Sequence, residues 1–200
     1  MDPGALYRPG MTPSEPPVPP LVAVAQRTAS ELGFSKSCVP QVGALLRTLA
    51  ASRPGGVIAE SGTGCGVGTA WMRSGLGNGA RLVTVERERG LARRVAAGYA
   101  KDDYVTVLQG DWLLLEEHAP FDLFFYDGGG KRDDRQRVVD LLAPGGILML
   151  DDFTPSSEWP PVFEGEVDEL RLFYLEHPAL SAVEIMTTPS SSAIVGVRSS

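Results

Sequence analysis

The chain is poor in the residues that build disulfide frameworks and histidine-rich metal centres. It has two cysteines, Cys38 and Cys65, and two histidines, His118 and His177, in 200 residues. Two thiols are too few for a disulfide framework. Cys65 sits inside a glycine-rich turn, where it reads as a small residue that fits there rather than as a nucleophile. His118 precedes Ala119-Pro120 in a loop and His177 closes a helix, where an imidazolium suits the helix dipole; neither is assigned to chemistry. There is no excess of positive charge: the net charge is -7, which argues against generic binding to nucleic acid or to a membrane surface. No apolar run approaches the roughly 20 residues that a membrane span needs. The N-terminus lacks the basic start and apolar core of a secretory signal, so the expected location is the cytoplasm.

What is present suits one domain with a sizeable core: 43% hydrophobic and 22% charged residues. Proline is concentrated at the start, with Pro3, Pro9, Pro13, Pro16, Pro17, Pro19 and Pro20 in residues 1–20. Such a segment offers no regular hydrogen-bond ladder, and is expected as a flexible tail ahead of a single domain over 21–200. Leu21 to Leu32 reads as a helix closed by Gly33. Val39 to Ala51 reads as a second, with Val42, Leu45, Leu46 and Leu49 on one face.

From Val57 strands and helices alternate. Strands are expected at 57–60, 81–86, 104–109, 121–126 and 145–151. Helices are expected at 67–76, 88–100 and 132–142, with a short turn near 112–117. That alternation predicts a doubly wound α/β fold with a parallel sheet between helical layers. Phe121 to Tyr126 is almost continuously apolar, as a central strand buried on both faces should be. After a helix from Glu164 to His177, the runs 182–187 and 193–198 flank a turn-rich Thr188-Pro189-Ser190-Ser191. They read as a hairpin, which adds antiparallel pairing at the sheet edge and brings the strands to seven.

The stretch Val57 to Gly68 organises the chain. An apolar run ends in Glu60, and Gly62, Gly64, Gly66 and Gly68 follow at every second position before a helical pattern begins. Glycines permit backbone angles that other residues avoid and let a ligand approach the chain, as at a nucleotide-type site on the carboxyl edge of a doubly wound sheet. Glu86 ends the next strand, where a carboxylate can accept from ribose hydroxyls or simply start a helix. Asp111 follows Gly110 after the third strand. It suits either a purine amino group, with Trp112 offering a flat apolar face, or an N-cap beside a core tryptophan. Asp127 ends the fourth strand, and Asp151 and Asp152 end the fifth. Three carboxylates on adjacent strand tips would repel unless protonated or bridged by a hard divalent cation, unless they cap and hold loops instead. Lys131, after Gly128-Gly129-Gly130, fits either a base of lowered pKa or a solvated helix-start residue.

The series Glu60-x-Gly62-x-Gly64-x-Gly66, Glu86, Gly110-Asp111, Asp127 and Gly145-Gly146…Asp151-Asp152 resembles the class I S-adenosylmethionine-dependent methyltransferases. More narrowly, Pro40-Gln41-Val42-Gly43 before Leu45-Leu46, together with the Asp pair, resembles the metal-dependent catechol and caffeoyl-CoA O-methyltransferase group. The resemblance implies a Rossmann-like methyltransferase fold and S-adenosylmethionine as cofactor. Glu60, Gly62, Gly64 and Gly68 would lie at its methionine end, beneath the backbone near Cys38 and Val39, with Thr63 and Gly66 also binding the cofactor. Glu86 would bind ribose, Asp111 and Trp112 adenine. Asp127, Asp151 and Asp152 would hold Mg2+ or a similar ion, with Asp127 also near the cofactor and Lys131 as base. The acceptor would be a hydroxyl on a small, aromatic molecule. Two departures stand out: Asp152 replaces the family's usual Asn, and Lys131 lies four residues past Asp127 rather than two or three.

A nicotinamide dehydrogenase shares the glycine turn and the later acid, but not the C-terminal hairpin or Gly110-Asp111. A methyltransferase of nucleic-acid bases would carry a Pro-Pro-aromatic where this chain has Asp127-Gly-Gly-Gly. A non-catalytic cofactor binder is a third reading, with the proline tail as its interaction element. The N-terminal helix and tail could pair two subunits as a homodimer.

Overall fold

A computed structural model describes residues 16–128 and 134–199. The proline-rich stretch 1–15 and Lys131 therefore lie outside the described residues. The main elements are α1 (Pro20–Glu31), α2 (Pro40–Ala51), β1 (Val57–Ser61), α3 (Val67–Arg73), β2 (Arg81–Glu86), α4 (Arg89–Gly98), β3 (Val105–Gln109), a 3-10 helix (Trp112–His118), β4 (Phe121–Tyr126), α5 (Arg135–Asp140) and β5 (Leu142–Phe153). They are followed by β6 (Val162–Phe163), β7 (Glu166–Val167), α6 (Glu169–Leu175), β8 (Leu180–Thr188) and β9 (Ser191–Arg198).

Among the described residues, seven strands form one sheet in the order β3-β2-β1-β4-β5-β9-β8. β1 to β5 run parallel, while β9 pairs antiparallel with both β5 and β8. This is the expected seven-stranded, mostly parallel, doubly wound sheet with its C-terminal hairpin. The chain winds outward from β1 through β2 to β3, then returns to the other side of β1 as β4. Strand order thus reverses between β1 and β4, and in open α/β sheets that reversal opens a crevice at the carboxyl ends.

Alternation along the strands supplies both helical layers. Ile58, Leu82, Leu123, Phe125, Ile147 and Met149 face α2 through Val42, Leu46 and Ala50. Ala59, Val83, Phe124, Tyr126 and Leu148 face the opposite layer, with Val138 and Val139 of α5 and Tyr174 of α6. Phe121, Phe124 and Phe125 are at most 1% exposed, as the nearly continuous apolar run of β4 required. α1 and α2 each start on proline, which is pre-set for a first helical turn. None of the helices among the described residues is long and apolar enough to cross a membrane.

Several boundaries differ from expectation by a few residues, with α3 ending at Arg73, α5 at Asp140 and β5 starting at Leu142, and the largest shift is at α6. The helix read from Glu164 begins at Glu169. Glu164 and Gly165 take φ of 53° and 86°, which closes the two-residue turn between β6 and β7. Asp168 then caps α6, its carboxylate accepting from the Arg171 N–H.

Candidate functional site

The glycine turn has the geometry its spacing predicts. Gly62, Gly64 and Gly66 adopt φ of 96°, 53° and 80°. A Cβ at Gly62 would stand 2.9 Å from the backbone of Gly128, so this position is closed to any side chain by the tip of β4. Gly64 packs under the ring of Phe34. Gly66 turns the chain into α3 and faces Val95 of α4, so it shapes the turn without forming a wall of the cleft. Gly68 leaves room for Oε1 of Glu60, which a Cβ would overlap.

Above this turn lies a cleft of about 780 Å³ at the β1/β4 reversal. It brings together Glu60, Gly62, Thr63, Gly64, Gly68, Glu86, Asp111, Trp112 and Asp127, residues far apart in sequence. Glu86 stands at the tip of β2. Its Oε2 accepts from the Gly64 N–H at 2.8 Å and its Oε1 from the Glu88 N–H at 2.8 Å, so one carboxylate holds the glycine turn from the neighbouring strand. Asp111 caps the 3-10 helix by accepting from the Leu113 N–H, yet it remains exposed to the cleft. Trp112 is also a core residue, edge-on to Tyr126 with ring centres 5.3 Å apart. The N-cap and core readings of these two residues hold, and both residues also line the cleft.

Glu60 is 1% exposed. Its Oε2 accepts from the hydroxyls of Thr69 at 2.5 Å and Thr84 at 2.6 Å. Thr84 also lies 2.5 Å from the Thr63 hydroxyl. Burial raises the Glu60 carboxyl to about 8, the threonine hydroxyls work against that rise, and the charges of Asp127 and Glu86 add to it. Cys38, from the segment ahead of α2, is a cleft wall too, and its thiol is pushed up by burial and then by Glu60, Asp127 and Asp151.

The expected acid trio does not assemble. Phe125 of β4 registers with Met149 of β5, so Asp127 and Asp151 end at the same level two residues on. Asp152 departs: the register with β9 shifts between Leu150 and Phe153, and Asp152 sits there exposed with φ of 69°. Asp127 is a wall of the cleft; Asp151 and Asp152 are not. Among the described residues, no group of three or more His, Cys, Asp and Glu side chains is arranged to hold a metal ion.

The structure adds Phe34 and Ser37, which the sequence reading did not single out. Ser37 lines the cleft with its Oγ buried and unpartnered. The only sequence signal was position, between the Gly33 helix stop and the proline start of α2.

Residues 59–153 match the family profile described as a methyltransferase domain. An O-methyltransferase from Bacillus cereus, solved as a complex with SAH, superposes with a TM-score of 0.70 at 21% identity, over 91% of this chain and 92% of that one. TomG from Streptomyces achromogenes, an O-methyltransferase of tomaymycin synthesis solved with SAM, gives 0.70 at 21% identity over 92% of both chains. The chain has the methyltransferase fold. Among curated proteins, one named a probable O-methyltransferase, from Mycobacterium tuberculosis H37Rv, is 31% identical over 139 residues, which are 65% of this chain and 62% of that protein. The chain thus spans 62–63% of the length of the first curated relatives it matches. Within this methyltransferase fold, the cleft at the β1/β4 reversal occupies the position where open α/β sheets bind ligands.

Proposed function

We propose that the chain binds S-adenosylmethionine in the 780 Å³ cleft and transfers its methyl group to a hydroxyl of a small, aromatic acceptor. One observation carries this reading: Glu60, Gly62, Gly64, Glu86 and Asp111 converge on a single cleft of a methyltransferase fold. The curated relatives named O-methyltransferases support the hydroxyl acceptor.

The residues present fit the cofactor. Ser37 offers a buried, unpartnered hydroxyl, and Gly62 and Gly68 keep the floor free of side chains. Glu60 offers an oxygen that neither threonine uses. Ser37 and Glu60 would hold the methionine end, Glu86 the ribose, and Asp111 with Trp112 the adenine. When bound, the cofactor supplies an electrophilic methyl on a sulfonium. The chain's own task is alignment, since holding reactants in line can contribute on the order of 7–11 kcal/mol. Glu86 does this for the turn itself, because it fixes Gly64 through a charged hydrogen bond. Asp127 and Lys131 are assigned to the hydroxyl proton; the place of Asp127 in the cleft wall supports its share.

A divalent ion is the finer part of the reading. The shared level of Asp127 and Asp151 supports it, whereas the described donors do not fit a three-carboxylate site, so no step is derived through a metal. Pairing of two copies belongs to the same reading, supported by Val18, Leu21 and Val24, which stay exposed along and just before α1.

Calorimetry with S-adenosylhomocysteine and with NAD tests the central claim, followed by transfer of labelled methyl to a panel of catechols. Micromolar binding of S-adenosylhomocysteine without NAD binding is the expected result. The reverse preference would overturn the reading in favour of a dehydrogenase.

A further inference from the structure

We propose that Glu60 binds its ligand by proton exchange: the cofactor's ammonium displaces a proton from Oε1, and Thr63, Thr69 and Thr84 fix which oxygen does so. This rests on the S-adenosylmethionine reading above.

The geometry is explicit. Thr69 and Thr84 both donate to Oε2. A hydroxyl has one hydrogen, and Thr84 spends its own on Glu60, so in the 2.5 Å contact with Thr63 it is Thr63 that donates. The relay runs Thr63 to Thr84 to Glu60. Two donors occupy Oε2, so the proton of the neutral acid resides on Oε1, the oxygen beside Gly68. Thr69 and Thr84 are 0% exposed and cannot touch a ligand; they are positioning residues that act through Glu60.

The surroundings decide the charge state. The titratable groups that act on Glu60 are Glu86 of β2, Asp127 after β4, Cys38 ahead of α2 and Tyr99 after α4. None of these is a cation, and the two carboxylates are of like charge. With its carboxyl raised to about 8, Glu60 is mostly neutral at pH 7 in the ligand-free protein. None of the four groups above supplies a positive charge to Glu60, and an ammonium reaching Oε1 would; the cations of the cleft wall, Lys36 and Arg87, are not among the groups that act on it. Only the O–H bond of Glu60 breaks, the ammonium stays intact, and one proton leaves to the buffer.

The test is calorimetric titration of the full chain with S-adenosylhomocysteine at pH 7 in phosphate and in Tris, whose ionisation enthalpies differ. Buffer-dependent enthalpy equivalent to release of ~0.9 proton is expected, vanishing toward pH 9.5. The affinity should tighten roughly tenfold from pH 6 to pH 7. Glu60→Gln should remove the buffer dependence, which isolates Glu60 from the ligand's own amino group. Thr84→Val should move the transition up by about one pH unit, and Thr84→Ser should restore it. If Thr84→Val does not fold, Thr63→Val, one step further out on the relay, should give a smaller shift in the same direction. Tight binding with no buffer dependence in the unmodified protein would overturn proton exchange alone. No binding at any pH would overturn the S-adenosylmethionine reading as well.

Discussion

The two sides of the β1/β4 reversal are built differently. On the β1–β2 side both cleft carboxylates are anchored: Glu60 through Oε2 by Thr69 and Thr84, Glu86 by the N–H groups of Gly64 and Glu88. The strands there are in unbroken register, from Val57 opposite Arg81 to Ser61 opposite Val85. On the β4–β5 side the register slips twice, between Phe121 and Leu123 on β4 and again between Leu150 and Phe153 where β5 meets β9. Asp151 is buried there while its neighbour Asp152 is exposed. Residues spaced along regular backbone arrive together, whereas residues adjacent in sequence separate wherever a bulge intervenes.

The sharpest break in this comparison lies beyond β5. Arg171 is fully buried, within 3.3 Å of Asp168 and 3.4 Å of Glu184, and donates to the Thr154 carbonyl at 2.5 Å. It thereby ties the segment after the Asp pair to α6 and β8. Arg171→Met leaves two partly buried carboxylates without their cation, and should cost roughly 3 kcal/mol in denaturant unfolding. Adding Glu184→Gln should recover part of that loss. An unchanged midpoint would mean the irregular side is held by packing alone.

The regular side has its own liability in Glu60. Its folded-state value near 8 lies above the ordinary 4.5, so the folded protein holds this proton more tightly than the unfolded chain does. The contribution is complete below about 4.5 and is lost as pH rises through about 8. The ligand-free protein should therefore lose on the order of a few kcal/mol across that window. Glu60→Gln should flatten the profile. Equal slopes for both proteins in thermal melts would remove Glu60 as the cause.

Gly62→Ala attacks the turn where the two sides meet. It puts a Cβ at φ of 96° against the Gly128 backbone, neither of which can give way. About 100-fold weaker binding of S-adenosylhomocysteine is expected, with a stability loss of ~2 kcal/mol. Glu86→Gln should be milder, about 10-fold in affinity, because it keeps the shape but weakens two charge-assisted bonds.

The legibility of the sequence divides along the same line. The glycine turn, Glu86 and the near-unbroken apolar run of β4 follow from local rules, and the structure places them as those rules require. Glu60 and Thr63 are expected as cofactor contacts, but Thr69 and Thr84 are not. Thr69 and Thr84 carry no local signal, since their partnership depends on α3 and β2 packing over β1. Phe34 and Ser37 enter the cleft through a loop whose path no periodicity encodes. The late start of α6 was missed because Glu164 reads as a helix-start acid. Its φ of 53° beside Gly165 belongs instead to a hairpin turn, a choice made by the pairing of Val162 with Val167.

Asp152 gives the smallest effect and the finest discrimination. A carboxylate that ligates a metal typically costs 10–100-fold in affinity or activity even when only its supporting shell is disturbed. Asp152 is exposed, sits outside the cleft walls and has φ of 69°, a conformation that glycine adopts without strain. Asp152→Gly thus removes the charge and relaxes the backbone together. Binding of Mn2+ followed by electron paramagnetic resonance should change by less than about twofold, while stability should hold or rise by a few tenths of a kcal/mol. Loss of Mn2+ binding by more than tenfold would mean that Asp152 swings inward to join Asp127 and Asp151. The two sides of the reversal would then be equally organised once ligands are bound, and the contrast drawn between them would belong to the ligand-free state alone.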